Sequence, residues 1–256
     1  MKQPALPKVS VLIPAYNEEK YICYVLAALL KQDYPNIEII VANNASTDRT
    51  AVMVETFIAT HAGSPVSIQL VHEMKQGTNH ARECARLHAT GSIIAQIDAD
   101  CVPGPNWISK GLRYLIRSKR VAVTGPYDYF DGNFFMRYAT IITQCLTYPM
   151  TNEVVQVAQR GAILIGGNAF IRASALRMAG GYNTELTFYG DDVDLGARLS
   201  RLGHVMYAPQ LMMRTSSRRY HALGFWQVNK KYQDCFWKLV FRQNHLNETV
   251  EINHPR

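Results

Sequence analysis

The sequence predicts an α/β domain on a parallel sheet, and three observations lead there. Between Val9 and Ile97, short β-branched runs alternate with helical patterns, the signature of βαβ units. Polar and acidic residues gather just after these runs, where such a sheet binds its ligands. With 256 residues, 48% of them apolar and 18% charged, the chain can bury one large core.

Four runs read as strands: Val9 to Ile13, Ile37 to Val41, Val66 to Val71 and Ile93 to Ile97. Between the first two, Ile22, Val25, Leu26, Leu29 and Leu30 repeat at helical spacing, giving a helix one face to lay on the sheet. Ser46 or Thr47 is placed to cap a second helix through Val52, Val54 and Ile58, since a hydroxyl can accept from the free N–H groups of a first turn. Ala81, Cys84, Ala85 and His88 stripe a third. From Asn106 the pattern loosens into a helix to Arg117, a strand near Val121 to Thr124 and a long aromatic-rich stretch. Ala162 to Ile165 reads as a strand leading into Gly166-Gly167-Asn168. Ser174 to Met178 reads as a short helix, Asp192 to Leu202 as a longer one and His204 to Tyr207 as a strand.

Composition narrows the classes. The five cysteines, Cys23, Cys84, Cys101, Cys145 and Cys235, are odd in number and never form C-x-x-C. That argues against a disulfide framework or zinc site and for a reducing cytosol. The residues before Val9 lack the apolar core of a secretion signal, so a cytoplasmic location is expected. No uninterrupted apolar stretch reaches the roughly twenty residues that span a bilayer. The nearest, Phe134 to Met150, is broken by Arg137, Gln144 and Pro149. A net charge of +7 suits a polyanionic partner, whether nucleotide, nucleic acid or anionic lipid, and equally serves solubility.

The segments after the strands carry the candidate chemistry. None matches the glycine-rich loops of dinucleotide-binding or P-loop proteins. Asp98 and Asp100 flank a small residue at the end of a buried strand, so both carboxylates can reach one point. A hard cation such as Mg²⁺ or Mn²⁺ prefers one or two carboxylates plus phosphate oxygens and water. The plainer alternative is a pair of loop acids capping the next helix. Asp191, Asp192 and Asp194 sit just before a helical run, where the dipole favours carboxylates. One of them, partly desolvated beside another acid, would have the raised pKa that suits a general base. Gly166-Gly167-Asn168 allows close backbone approach and offers an amide to a sugar hydroxyl, or is simply a turn.

Taken together, VSVLIPAYNEEKYI from Val9, EIIVANNASTDRT from Glu38, Gly77 to Arg82, QIDADC from Gln96, Gly166 to Phe170 and GDDVDLGARL from Gly190 resemble the family 2 glycosyltransferases. They stand in the family's order over Val9 to Pro209. The resemblance implies the GT-A fold, a Rossmann-like three-layer domain with a mostly parallel mixed sheet. It also implies an inverting transfer of sugar from a nucleotide-sugar donor to a glycan or lipid-linked acceptor. On it, Pro14, Tyr16 and Glu18 contact the nucleotide, with Tyr16 against the base; Asp98 and Asp100 form the D-x-D motif for metal and diphosphate. Asp192 is the catalytic base, and Asn168 and Asp191 contact acceptor. Arg82, Arg218 and Arg219 are candidates for the phosphates, and His221 for the metal. Asn43 stands where relatives carry an aspartate that accepts from uracil; its carbonyl can still accept, so UDP is favoured. Asp191 replaces a commoner glutamate. The domain is expected over residues 1–213, its nucleotide-binding half about 1–105 and its acceptor half about 106–213, with a helical extension at 214–256.

In that extension Arg214, Arg218, Arg219, Lys230, Lys231, Lys238 and Arg242 outnumber Asp234, Glu248 and Glu251. Phe225, Val228, Tyr232, Cys235 or Phe236, and Leu239 recur at three- and four-residue spacing, predicting an amphipathic helix. Such a helix can cover the enzyme's own core, bury a homodimer face, or rest on the inner face of an anionic membrane. Competing readings are a silent nucleotide-sugar binding module, a polyprenyl-phosphate glycosyltransferase and a sugar nucleotidyltransferase. The last lacks its glycine-rich loop. Nucleic acid is not expected as a partner, because paired acids at strand ends repel phosphate unless a cation stands between.

Overall fold

The computed structural model describes residues 6–116, 119–186 and 190–241. Arg117, Arg242, Glu248 and Glu251, and the side chains of Cys235 and Leu239, lie outside what is described.

Four parallel strands, β1 (Val9–Ala15), β2 (Ile37–Asn43), β3 (Ser67–His72) and β4 (Ile93–Ile97), alternate with α1 (Ile22–Leu30), α2 (Thr50–Thr60) and α3 (Thr78–His88). All four expected strands form, β1 and β2 running on past their expected ends to Ala15 and Asn43. Neither Ser46 nor Thr47 caps α2. Asp48 does that work, accepting from the Thr50 N–H at 2.9 Å, while Ser46 Oγ accepts from Asn17 N–H at 3.1 Å. The helix starts at Thr50, so Ser46 and Thr47 lie too far before it to reach its first-turn N–H groups, whereas Asp48 is two residues away.

Beyond β5 (Cys101–Val102) and α4 (Trp107–Leu115) come β6 (Arg120–Thr124), β7 (Tyr127–Tyr129), and α5 (Phe134–Ile142), which runs through a π-helical turn (Thr143–Thr147) into α6 (Tyr148–Val157). Ala162 to Ile165 is not a strand. The strand in this region is β8 (Asn168–Arg172), beyond the two glycines, because Phe170 and Ile171 have a sheet position to fill and Gly166-Gly167 supplies the bend before it. Next are α7 (Ala173–Met178), α8 (Asp191–Ser200), β9 (His204–Tyr207), β10 (Met213–Thr215), α9 (Arg218–Leu223) and α10 (Phe225–Phe241).

The main sheet has the order β3-β2-β1-β4-β8-β6-β9, with β8 antiparallel to both neighbours and every other pair parallel. Strand alternation sends Val9, Val11 and Ile13 to one face and Leu12 to the other, so two apolar cores flank the sheet. That makes three layers. A small second sheet, β5-β10-β7, joins the residues just after Asp100 to the start of the C-terminal segment. The boundary expected between residues 213 and 214 therefore falls inside β10.

Ser10 and Glu38 lie side by side within the sheet, and Glu38 is satisfied by Ser10 Oγ at 2.5 Å, the Thr90 N–H at 2.7 Å and Lys8 Nζ at 2.6 Å. Burial alone would raise the Glu38 carboxyl, but those donors outweigh it and bring it down to about 2. A depressed acid stabilises the fold above its ordinary pKa and loses that contribution as pH falls through the folded value. Glu38→Gln should therefore cost on the order of 2–3 kcal/mol at pH 7, and less than about half of that at pH 3. Urea unfolding of both proteins at the two pH values measures it.

Candidate active site

The loops after β1 and β2 are tied to one another. Asn17 Oδ1 accepts from the Thr47 N–H at 2.8 Å, the Glu18 N–H donates to Thr50 Oγ1 at 2.7 Å, and the Glu19 N–H donates to Asp48 Oδ2 at 3.1 Å. Asn17 and Ala45 sit in the left-handed region, both with φ of 54°, so each chain reverses sharply there. This clasp forms one wall of a cavity of about 640 Å³ at the carboxyl edge of the sheet.

Arg82, reaching from α3, lies at the centre and is 4% exposed. Its Nη1 donates to Asp191 Oδ2 at 3.0 Å and Asp192 Oδ1 at 3.2 Å, and its Nη2 to Asp98 Oδ1 at 3.0 Å. Burial pulls the guanidinium's pKa down, but the carboxylates of Asp192, Asp98 and Asp191 more than offset that and fix it as a cation. Gly190, with φ of 103°, turns the chain into α8 so that Asp191 and Asp192 occupy its first turn. Asp192 Oδ2 also accepts from the Gly166 N–H at 3.0 Å. Burial, then the neighbouring Asp191 charge, pushes the Asp192 carboxyl up to about 7 even though Arg82 opposes the shift. About a third of that side chain still faces the cavity, so it is both desolvated and reachable.

Arg218, which opens α9, closes the opposite side. It forms a two-armed pair with Glu18, one arm at 2.9 Å, and its Nε lies 3.2 Å from Asp100 Oδ2. Burial lifts the Glu18 carboxyl to about 7 despite that partner, and it raises the Asp100 carboxyl as well. Pro14, Tyr16, Glu18, Arg82, Asp98, Asp100, Asp191, Asp192, Arg218 and Arg219 all line the cavity.

Comparison with known proteins fits this geometry. The profile described as glycosyl transferase family 2 matches residues 10–178. The chain belongs to that family. Probable glycosyltransferase YdaM of Bacillus subtilis is 30% identical over 217 residues, which is 80% of this chain and 49% of the relative. The UDP-Glc:alpha-D-GlcNAc-diphosphoundecaprenol beta-1,3-glucosyltransferase WfgD of Escherichia coli is 29% identical over 125 residues, 49% of this chain and 47% of the relative. This chain thus spans about half the length of these curated relatives. Among solved structures, the mannosyltransferase PcManGT of Pyrobaculum calidifontis, in complex with GDP-Man and Mn²⁺, superposes with a TM-score of 0.66 at 25% identity, covering 90% of this chain and 64% of that one. Staphylococcus aureus TarS with UDP-GlcNAc gives 0.62 at 17% identity, covering 82% and 59%. The fold is the GT-A fold.

Three residues expected at the family 2 site do not join it. Asn168, expected at the acceptor, is fully buried in β8; its Oδ1 accepts from Trp107 Nε1 at 2.8 Å and its Nδ2 donates to the Leu211 carbonyl at 2.6 Å. Its amide joins α4 to the strands, and Asn168 is not among the residues that line the cavity. His221 is exposed on α9 and does not line the cavity. Asn43 ends β2 nearly buried behind the cavity wall, with Nδ2 3.3 Å from His72 Nδ1 and Oδ1 unpartnered.

Sequence reasoning missed Tyr127, whose hydroxyl lies 3.2 Å from Asp98 Oδ2, because β7 is too short to carry a periodic signal. It gave Gly166 and Gly167 only general room for approach. A Cβ on Gly166 would stand 2.2 Å from Asp192 Oδ1, and one on Gly167 2.1 Å from the Tyr127 hydroxyl and 2.4 Å from Asp98 Oδ2. The glycines make room for the acids.

The donor set fits a hard cation. Asp98, Asp100 and Cys101 bring carboxylate and thiol atoms within 4.8 Å of one another. A hard cation takes oxygen ligands, so the carboxylates of Asp98 and Asp100, rather than the buried Cys101 thiol, would hold it. Five cavity carboxylates, Glu18, Asp98, Asp100, Asp191 and Asp192, outnumber the guanidiniums of Arg82, Arg218 and Arg219, so the cavity carries a negative excess once the raised carboxyls of Glu18 and Asp192 ionise.

Two substitutions test this arrangement. Arg82→Ala leaves three clustered acids without their buried counter-charge and should destabilise the fold by about 3–5 kcal/mol, measured by denaturant unfolding. Gly167→Ala should fold but displace Asp98, weakening Mn²⁺ binding in calorimetry at least about tenfold.

Proposed function

We propose that this chain is the catalytic domain of an inverting glycosyltransferase, moving a sugar from a nucleoside diphosphate, with UDP first in line because WfgD is a UDP-Glc transferase, to a hydroxyl of a lipid-linked glycan. The observation that carries this is the cluster of Asp98, Asp191 and Asp192 on one buried guanidinium, with Asp100 beside it at the mouth of the sheet. WfgD's diphosphoundecaprenol-linked acceptor and the aromatic part of the cavity, with Tyr148, Phe225, Phe236 and Trp237 on its walls, support a lipid-linked acceptor. PcManGT's Mn²⁺ supports a divalent cation, Mn²⁺ or Mg²⁺.

Inversion in one step needs a base on the acceptor hydroxyl, in line with and opposite the departing diphosphate. Asp192 is the base: its raised pKa suits proton abstraction near neutrality, and Arg82 with the Gly166 N–H holds its carboxylate in place. Asp191 orients the acceptor from beside it. Asp98 and Asp100 would hold the cation, which when bound neutralises charge building on the diphosphate. Pro14 and Tyr16 form the nucleotide wall. Arg218 and Arg219 line the same cavity, and their guanidinium groups would donate to the phosphates.

Asp192→Asn should bind UDP and Mn²⁺ within about twofold of wild type while transfer from UDP-sugars falls by at least about a thousandfold, the scale of losing a general base. Turnover at the wild-type rate would remove Asp192 from the role. In wild type, kcat/KM should fall as pH drops below about 7, because the base is then protonated. Asp100→Ala should lower metal-dependent UDP affinity, read by calorimetry with Mn²⁺ and with chelator.

A further inference from the structure

The run from α5 through the π turn to α6 is amphipathic in the reverse sense of an ordinary surface helix. Its inner side is polar: Thr140, Gln144, Tyr148 and Thr151 line the cavity. Its outer side is apolar, with Tyr138, Ile142, Leu146, Met150, Val154 and Val157 all between 48% and 84% exposed. Of the run's two charged residues, Arg137 pairs with Asp128 at 2.6 Å, and exposed Glu153 lies 3.0 Å from His204 Nε2.

The stripe repeats every four residues until its last step. On a straight α-helix that spacing drifts by about 40° per repeat. The π turn at Thr143–Thr147 widens the helix by a residue and takes up part of the drift, so the stripe holds one face for about 28 Å. The apolar surface continues onto the neighbouring helix. Phe135 meets Phe225 with ring centroids 6.5 Å apart, and Phe134 and Trp226 are each more than three-quarters exposed. On α10, Lys230 and Lys238 are exposed as well.

We propose that the outer face of Phe134–Val157, with Trp226 beside it, is a membrane-docking surface that lies on an anionic bilayer and sets the cavity mouth at the lipid headgroups. Charge favours this occupant over a second copy: a chain of net charge +7 is attracted to anionic lipid and repelled by its own kind. An apolar row flanked by exposed aromatic residues is the composition that rests in a bilayer interface, and the helix that Phe225 belongs to adds exposed lysines. No described helix is long and apolar enough to cross a membrane, so the contact is one of lying on the surface. The surface deepens the transferase reading, because an acceptor anchored in lipid would enter between the two helices that carry it. Binding is measured without transfer, so the two claims can fail separately.

The test is co-sedimentation of the full chain with vesicles of phosphatidylcholine alone or of phosphatidylcholine with phosphatidylglycerol. Wild type should partition onto the anionic vesicles more strongly than onto the neutral ones. The triple variant Ile142→Glu, Leu146→Glu, Met150→Glu should lose at least about a hundredfold of that partition, from the apolar burial forgone, with its melting temperature unchanged. Should the triple variant aggregate, Val154→Glu alone gives the same reading at smaller size. Wild-type protein remaining in the supernatant with both vesicles, or a folded triple variant sedimenting like wild type, overturns the proposal. So does a concentration-dependent dimer in sedimentation velocity that the variant abolishes while vesicle binding is absent.

Discussion

Arg82 is the only cation within hydrogen-bonding distance of Asp98, Asp191 and Asp192 among the described residues, and it is almost wholly removed from water. Three carboxylates drawn from two distant parts of the chain would repel one another at this spacing, and each would bear a desolvation cost. A buried guanidinium offsets both, and its planar fork sets the directions from which the acids approach. The arrangement also explains why small residues face it. Gly166 and Gly167 lie where any side chain would run into Asp192 or Asp98.

From that pair of facts the rest of the site follows by topology. The parallel half of the sheet delivers Asp98 at the end of β4, and the α8 N-terminus delivers Asp191 and Asp192. Antiparallel β8 lies between β4 and β6 and carries the glycine turn to the same edge; Gln96 Nε2, 3.0 Å from the Gly166 carbonyl, pins it. The small sheet has a separate task. By pairing β10 with β5, it places Arg218 opposite Asp100 and Glu18, so the C-terminal segment completes the wall. Arg82 neutralises one side of the cavity and Arg218 the other, and the remaining negative charge is what a divalent cation would meet.

Much of the first half was legible because each strand there is a continuous β-branched run with a helix behind it, and ligand-facing residues fall at strand ends. Asp98 and Asp100 could be named for that reason; Asp192 is legible instead from the acids before a helical run, and Arg82 only as a phosphate candidate, whereas it pairs with three acids. The second half was less legible. β8 begins with Asn168, a polar residue next to two glycines, so local pattern suggested a ligand loop where tertiary packing uses the amide to bind Trp107 and Leu211. Tyr127 lies in a three-residue strand, and its role depends on a contact with Asp98 that no spacing encodes. The Phe134–Val157 run resisted reading for a different reason: its apolar residues face outward, so its periodicity points away from the core that pattern analysis assumes.

On the proposed function, the acids gathered by Arg82 and Arg218 would hold a cation against a nucleoside diphosphate. Crystals grown with UDP and Mn²⁺ and measured at the manganese edge address it directly. One anomalous peak bridging Asp98 or Asp100 and the diphosphate, with Arg82 still on Asp192, is the predicted result. A diphosphate held by arginines alone, with no peak near those two aspartates, would contradict it.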